Sequence, residues 1–490
     1  MTKPLITVAG NLGNYTGGPN LAKIIYDSTN GFTAGEYLSA TPPPTTPPTI
    51  PNSVIPAGVT TPYVFSFLNK MVPATANQFR VALSNYALLS NLPGIGESTY
   101  WFYDAVGDAN NAWVLMGTGA QALTPPRNPH GLVNAPFGDE YLLVADYDSD
   151  GGANATGNVT VLSMDASDTY SVAGHYDFPT NGSYQAHCQD IQVVGGRIFA
   201  LVIYSYTAST SPIVMNYDSS VVYELALDSS GPAVTLKSLG SVALDKNAVQ
   251  IVPFTFNSTL YLFAPCIGGM QNYGSGNAAN SSLAVINAGG TLSGTAQRAF
   301  IGTNNPSSLD FRGLAISSDG TAAFILVGNY DASYNMGWQV HKSSVAVLVA
   351  NAGITPTPTL NSPFPWGSGS NGAGYFWALG TCRVNDNSSG DEYLVFARGT
   401  ALSNAAIALD AVYLAPVASA SIPLTPTIKP EDLNAGAGAA AGFAINSMAI
   451  SVPGGVVTAL RAALPPFIAS GQFRTNAEFI EEMKKRAAKK

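Results

Sequence analysis

Residues 190–202 read DIQVVGGRIFALV. Two apolar, β-branched runs flank Gly195-Gly196, and a two-residue turn of this kind between such runs is a strong β-hairpin signal. The form recurs downstream. QIVPFTFNSTLYLF at 250–263 carries Asn257-Ser258 at its turn, and GLAISSDGTAAFILV at 313–327 carries Asp319-Gly320. Each hairpin opens a longer unit: an apolar run, a loop rich in Gly, Asn, Tyr and Ser, then a second β-branched run. First runs start at Tyr141, Phe199, Tyr261, Phe324 and Tyr393, and second runs at Val159, Val221, Leu283, Val345 and Val412. From Val159 to Val345 the second runs are spaced 62 residues apart. No helical period runs through them, so each is expected to be a strand.

Two earlier stretches have the same shape, ITVAGNLGNYTGGPNLAKIIYDS from Ile6 and YWFYDAVGDANNAWVLMGTG from Tyr100, which brings the units to seven. A further strand follows in several, as in TYSVAGHYDF and AVTLKSLGSVAL. Seven units of four antiparallel strands are the pattern of a seven-bladed β-propeller. The first unit lacks its leading hairpin strand. NSMAISVPGGVVTAL near the other end is expected to supply it, so that one blade is shared by both ends of the chain and no edge is left open. The expected organisation is a propeller over 1–470 and a charged helical tail over 471–490. A Pro/Thr-rich excursion at 36–58 and an Ala/Gly bridge at Ala435–Gly442 stand outside the repeat.

Composition narrows the function. The 490 residues include 21 Lys+Arg and 30 Asp+Glu, only 10% charged, with 46% hydrophobic. That is too apolar for an acidic disordered chain. The net charge of −9 argues against a nucleic-acid backbone as main partner. No apolar stretch reaches the 18 residues of a candidate membrane-spanning helix, and the start MTKPLITVAGN lacks the apolar core of a secretory signal. Cys188, Cys266 and Cys382 are too scattered for a disulfide framework or zinc site.

One local motif suits a hard cation. In DYDSDGGAN, Asp146, Asp148 and Asp150 alternate around a glycine turn and Asn154 stands ninth, oxygen ligands in a spacing that fits Ca²⁺. An EF-hand is excluded, because Gly157 stands where its bidentate Glu belongs. The stretch YLLVADYDSDGGANATGNVTVL resembles the FG-GAP propeller repeats of the integrin type, with Asn154 in place of a final Asp. The resemblance implies a propeller blade with calcium held by Asp146, Asp148, Asp150 and Asn154, in one unit only.

Catalytic signatures are sparse. No nucleophile elbow, P-loop or dinucleotide fingerprint is present. His130, His175, His187 and His341 are isolated, and His187 with Asp190 is the pair that could line a central channel. Asp391-Glu392 and Asp139-Glu140 occupy matching GDEY turns, which favours a structural role.

The loops between first and second runs share Tyr and Asn: Tyr15, Tyr204, Tyr206, Tyr217, Tyr273, Tyr330, Tyr334 and Trp338 form the expected binding face. Aromatics among small polar residues are the chemistry of adaptable recognition loops. The tail TNAEFIEEMKKRAAKK pairs Thr475 with Glu478 as a capping box and ends in bases, so Lys484, Lys485 and Arg486 are expected to dock a partner assembly. In composition the chain resembles phage structural proteins. The expectation is a non-enzymatic virion or appendage component, of phage tail or fibre type, meeting a protein partner or surface glycan. The alternatives are an exported cell-surface propeller binding glycan or protein, and a polysaccharide hydrolase or lyase.

Overall fold

A computed structural model describes residues 5–12, 20–27, 31–38, 64–68, 72–75, 78–87, 99–106, 114–115, 121–122, 127–136, 141–148, 156–165, 170–210, 213–231, 233–269, 281–302, 309–330, 336–360, 375–383, 392–399, 411–420 and 443–450. Among these residues the strands form seven antiparallel sheets, and the fold is all-β apart from one short helix.

Four sheets are four-stranded. Sheet I joins Phe443–Ile450, Leu5–Leu12, Asn20–Asp27 and Gly31–Leu38 in that order. Sheet III runs Arg127–Asn134, Tyr141–Asp148, Asn158–Met164 and Tyr170–Asp177. Sheet IV runs Gln185–Val194, Arg197–Thr210, Ile213–Asp228 and Thr235–Lys246, and sheet V runs Val252–Phe256, Thr259–Cys266, Ser282–Asn287 and Gln297–Ile301. Sheet VI (Leu309–Ile316, Ala323–Tyr330, Met336–Ser343) and sheet VII (Tyr375–Arg383, Glu392–Gly399, Ala411–Pro416) have three strands each. Sheet II is six-stranded, built on Val64–Leu68, Val72–Thr75, Gln78–Ala87 and Thr99–Val106 with the short pieces Val114–Leu115 and Gln121–Ala122.

The sheets lie face on face, and this is why their strands are apolar without alternation. Along Ile198–Tyr204, the residues Ile198, Ala200, Val202 and Tyr204 pack on sheet III, whereas Phe199 and Leu201 pack on sheet V. Sheet V divides likewise: Leu262 and Ala264 face sheet IV, and Phe263 faces sheet VI. Phe324 and Leu326 of sheet VI then meet Leu394 and Phe396 of sheet VII. A strand buried on both sides leaves no face for charge, which accounts for the low charge of the chain. First strands touch first strands from sheet to sheet: 127–134 with 185–194, 252–256 with 309–316, 309–316 with 375–383, 375–383 with 443–450, and 443–450 with 64–68. This serial stack of meanders is propeller-like.

The turns follow from their residues. Gly195 and Gly196 have φ of 58° and 78°, and Asn257 and Ser258 have 47° and 62°, the left-handed pair of a type I′ hairpin turn. At Asp319-Gly320 the connection is longer. Ser317 to Ala322 form a six-residue loop, in which the Asp319 carboxylate accepts from Ser317 Oγ and Thr321 N.

Several expectations are corrected. Val345 does not start a strand: Val345–Asn351 is a helix, α1, and the third strand of that unit is Met336–Ser343. Ser344 caps α1, its side chain accepting from Val347 N, so the apolar run VAVLVA coils. Glu36–Leu38, read as the start of the Pro-rich excursion, finish a strand; residues 39–58 lie outside the described residues. Val64–Leu68, Val72–Thr75 and Gln78–Ala87 precede the stretch from Tyr100 in sheet II, so that stretch forms the inner part of the sheet rather than its beginning. The strand at 443–450 pairs with Leu5–Leu12 as expected from the chain ends. The hairpin turn at Gly454-Gly455, the bridge at 435–442 and the tail, with Lys484, Lys485 and Arg486, lie outside the described residues.

Candidate functional site

In each meander the first strand begins, and the second ends, at the same end of the sheet, the end that carries the long loops. Several side chains of the candidate face sit there. Tyr147, the penultimate residue of Tyr141–Asp148, is held between two imidazoles: His130 at 4.6 Å and His187 at 4.3 Å between ring centroids, with interplanar angles of 26° and 16°. His187 Nδ1 lies 3.2 Å from the Tyr147 carbonyl oxygen. A carbonyl only accepts, so this nitrogen carries the proton. His130 Nδ1 donates in the same way to Gln189 Oε1 at 3.2 Å, which joins sheet III to sheet IV.

Beyond this stack, the second hairpin of sheet IV continues to Thr210 and Ile213, longer than its neighbours. Tyr206 and Tyr217 lie on it, both half-buried, and Tyr206 meets Tyr184 edge-on at 5.2 Å. Tyr204 does not belong to a solvent-facing surface. It is 3% exposed and its hydroxyl lies 2.9 Å from that of Tyr223; burial, then that hydrogen bond, push its ionisation far above the usual tyrosine range. Tyr330 ends the strand Ala323–Tyr330, and Trp338 stands opposite Gly328 in the ladder rather than in a loop. Tyr15, Tyr273 and Tyr334 lie outside the described residues.

The candidate cation loop is described in part. Asp146 is fully buried and its Oδ2 accepts from Thr160 Oγ at 2.6 Å. Asp148 is the last residue of its strand, and Asp150 and Asn154 lie outside the described residues. Just ahead of the next strand, the Gly157 N–H donates to Ala186 O at 2.6 Å. A Cβ there would stand 2.3 Å from Cys188 N and 2.7 Å from His187 Cα, so only glycine fits. Among the described residues no group of three or more His, Cys, Asp or Glu is placed to hold a metal ion.

His187 and Asp190, the pair read as channel-lining, are both buried. The Asp190 carboxylate accepts from Ile191 N at 2.8 Å and from Gln192 Nε2, and its Oδ2 takes Ile251 N at 2.8 Å, which ties sheet IV to sheet V. Other buried carboxylates are similarly committed. Arg197 grips Glu224 at 2.6 and 2.7 Å, Arg312 grips Asp310 at 2.9 and 2.7 Å, and Glu392 accepts from Ser318 N. Glu392 thus has the structural role its GDEY turn implied. Cys188 is an inert thiol: burial, then the nearby Asp146 and Asp190 carboxylates, raise its ionisation well above the ordinary range.

A second feature escaped the sequence reading. The first strand of most sheets carries one extra residue at a similar level. The ladder slips between Pro129 and Gly131, Cys188 and Asp190, Phe311 and Gly313, and Phe376 and Ala378, leaving His130, Gln189, Arg312 and Trp377 in the bulges. In sheet I it slips opposite Ala9 and Gly10, leaving Asn446. In sheet V the step from Val252↔Phe263 to the bridge Ala248↔Cys266 places Gln250 in the interruption. His130, Gln189, Gln250 and Arg312 are partly exposed, and each is followed by a buried residue. A signal was present in the sequence, a large side chain ahead of two small or apolar residues: His130-Gly131-Leu132, Arg312-Gly313-Leu314, Trp377-Ala378-Leu379.

No protein family matches the chain, and no curated protein does. Solved structures of β-propeller proteins give distant likenesses. The haemagglutinin-neuraminidase ectodomain of parainfluenza virus 5 is 9% identical over 78% of this chain and 85% of its own, with a TM-score of 0.38. Sqt1 from Chaetomium thermophilum is 10% identical over 81% and 79%, TM-score 0.37. A levansucrase mutant from B. megaterium is 10% identical over 58% and 83%, TM-score 0.31. No ligand or activity follows from likenesses this distant.

Proposed function

We propose that the seven sheets are the blades of a closed propeller, and that the propeller is a non-enzymatic binding module of a virion or appendage. The pairing of 443–450 with Leu5–Leu12 supports closure, together with the contacts of 127–134 on Val72–Thr75 and Gln78–Ala87 that return the series to sheet II. The observation that carries a binding role is the half-buried aromatic and imidazole surface of Tyr147, His130, Tyr184, Tyr206 and Tyr217, mounted on strands at the loop-rich end. Rigid rings with polar edges give contact area at low entropic cost. In this reading Ca²⁺ binds at Asp146, Asp148, Asp150 and Asn154 and orders the loop beside Tyr147. The tail, through Lys484, Lys485 and Arg486, docks to a protein partner.

A glycan array probed with the full chain and with Tyr206→Ala/Tyr217→Ala tests the face. Binding by the first and loss by the second is the expected result; equal binding by both removes the face. Closure has its own test. In Ala9→Cys/Ser447→Cys, cysteines on facing positions of the closing strands form a disulfide that peptide mapping detects, and failure to form it under oxidation opens the ring.

A further inference from the structure

The bulges have a common consequence. The first strands are one edge of these sheets, and most of them contact the next in series; between sheets IV and V the link is Ile251 N donating to Asp190 Oδ2 at 2.8 Å. An extra residue in a strand re-aims a side chain and bends the strand. Five bulged strands therefore place His130, Gln189, Arg312, Trp377 and Asn446 at similar register positions, and Gln250 stands two residues ahead of the first strand of sheet V. Contacts carry the series across sheet boundaries: His130 Nδ1 to Gln189 Oε1 at 3.2 Å, and Gln250 Nε2 to Leu314 O at 2.8 Å.

The chemistry of this set is specific. Among the positions whose side chains are described it holds two carboxamides, one imidazole and one guanidinium. Arg312 is matched by Asp310 in two hydrogen bonds, so that pair adds no net charge. Neither a bare cation nor a free anion finds an uncompensated opposite charge in such a ring. Carboxamides offer a donor and an acceptor at fixed spacing, which complements adjacent hydroxyls. After the contacts above, Gln189 Nε2 and Gln250 Oε1 retain unused capacity among the described residues.

We infer that the inner edge binds a neutral, hydroxyl-rich ligand of the saccharide class, with Gln189 and Gln250 as its hydrogen-bonding pair. The inference rests on the closed-ring reading, because only closure brings the bulged positions round one axis. It places the primary contact on the inner strands and leaves the loop tyrosines to select what reaches it.

The test is saturation-transfer NMR on the full chain with glucose, galactose, N-acetylglucosamine and their short oligomers as probes. Wild type is expected to show transfer from at least one. Gln189→Leu and Gln250→Leu should each weaken that sugar's apparent affinity about ten-fold, the loss of one good hydrogen-bonded contact. Gln189→Glu keeps the shape and the acceptor that faces His130 while removing the donor, and it should lose affinity with an unchanged melting temperature. Leu239→Ser, on the exposed outermost strand of sheet IV, should bind as wild type. No transfer from any probe while the Ala9→Cys/Ser447→Cys disulfide forms overturns the saccharide site and leaves the ring standing. Transfer unchanged in all three glutamine variants places the sugar elsewhere and overturns it as well. Failure of the disulfide takes the ring and the inferred site together.

Discussion

Sheet IV and the unit formed by sheet VI and α1 have the same spacing of apolar runs and end differently. In sheet IV the run beginning at Val221 lies inside a 16-residue strand, and a fourth strand follows. In the other unit the run at Val345 coils into α1 and covers the outer strand of sheet V, with Val345 and Leu348 buried and Val347 43% exposed. The repeat conserves where apolar mass is needed, at the same distance along the chain, and leaves open which backbone supplies it. Short apolar runs fit a strand or a buried helix equally well by pattern. Ser344 decides here, because a capping hydroxyl at the right position favours the first helical turn.

Six substitutions at five positions probe this contrast. The largest effect is expected where backbone meets backbone at sheet IV. Gly157→Ala drives a Cβ into the 187–188 main chain, which no rotamer change relieves, and should cost about 3 kcal/mol by chemical denaturation. Next comes the pair that separates helix from strand. Leu348→Ala should cost about 3 kcal/mol and Val347→Ser almost nothing. A strand would place 345 and 347 on one face and 348 on the other, so similar costs at Val345 and Val347 would mean that α1 is misassigned. Ser344→Ala should cost about 1 kcal/mol, with Ser344→Asp restoring it. Smallest is Ser258→Gly. It relieves a left-handed serine in the sheet V turn, offset by glycine's extra freedom in the unfolded chain, for a net gain of about 0.5 kcal/mol in melting experiments.

Legibility in the sequence varied with the range of the interaction. The hairpins at Gly195-Gly196 and Asn257-Ser258 were readable because a type I′ turn is specified by its own two residues. The strands of sheets III, IV and V were readable because burial on both faces makes their apolar runs continuous. Tyr206 and Tyr217, read as surface residues from their polar neighbours, are half-buried, whereas Tyr204, two residues from Tyr206, is buried in the core. The ladder of its own strand with the next slips between Val202 and Tyr204 and again between Thr207 and Ser209, and a register with such slips could not be counted from residue types.

The sequence by itself determined that this chain folds as repeated antiparallel meanders, where their turns fall, and that little charge is tolerated. Those properties depend on residues near one another and on the simple preference of apolar surface for burial. Tertiary structure alone decided that VAVLVA coils, that Asp190 locks sheet IV to Ile251, and that His130, Tyr147 and His187 stack. Each of these joins residues distant in sequence or depends on what a neighbouring sheet leaves uncovered, and local preference carries no information about either.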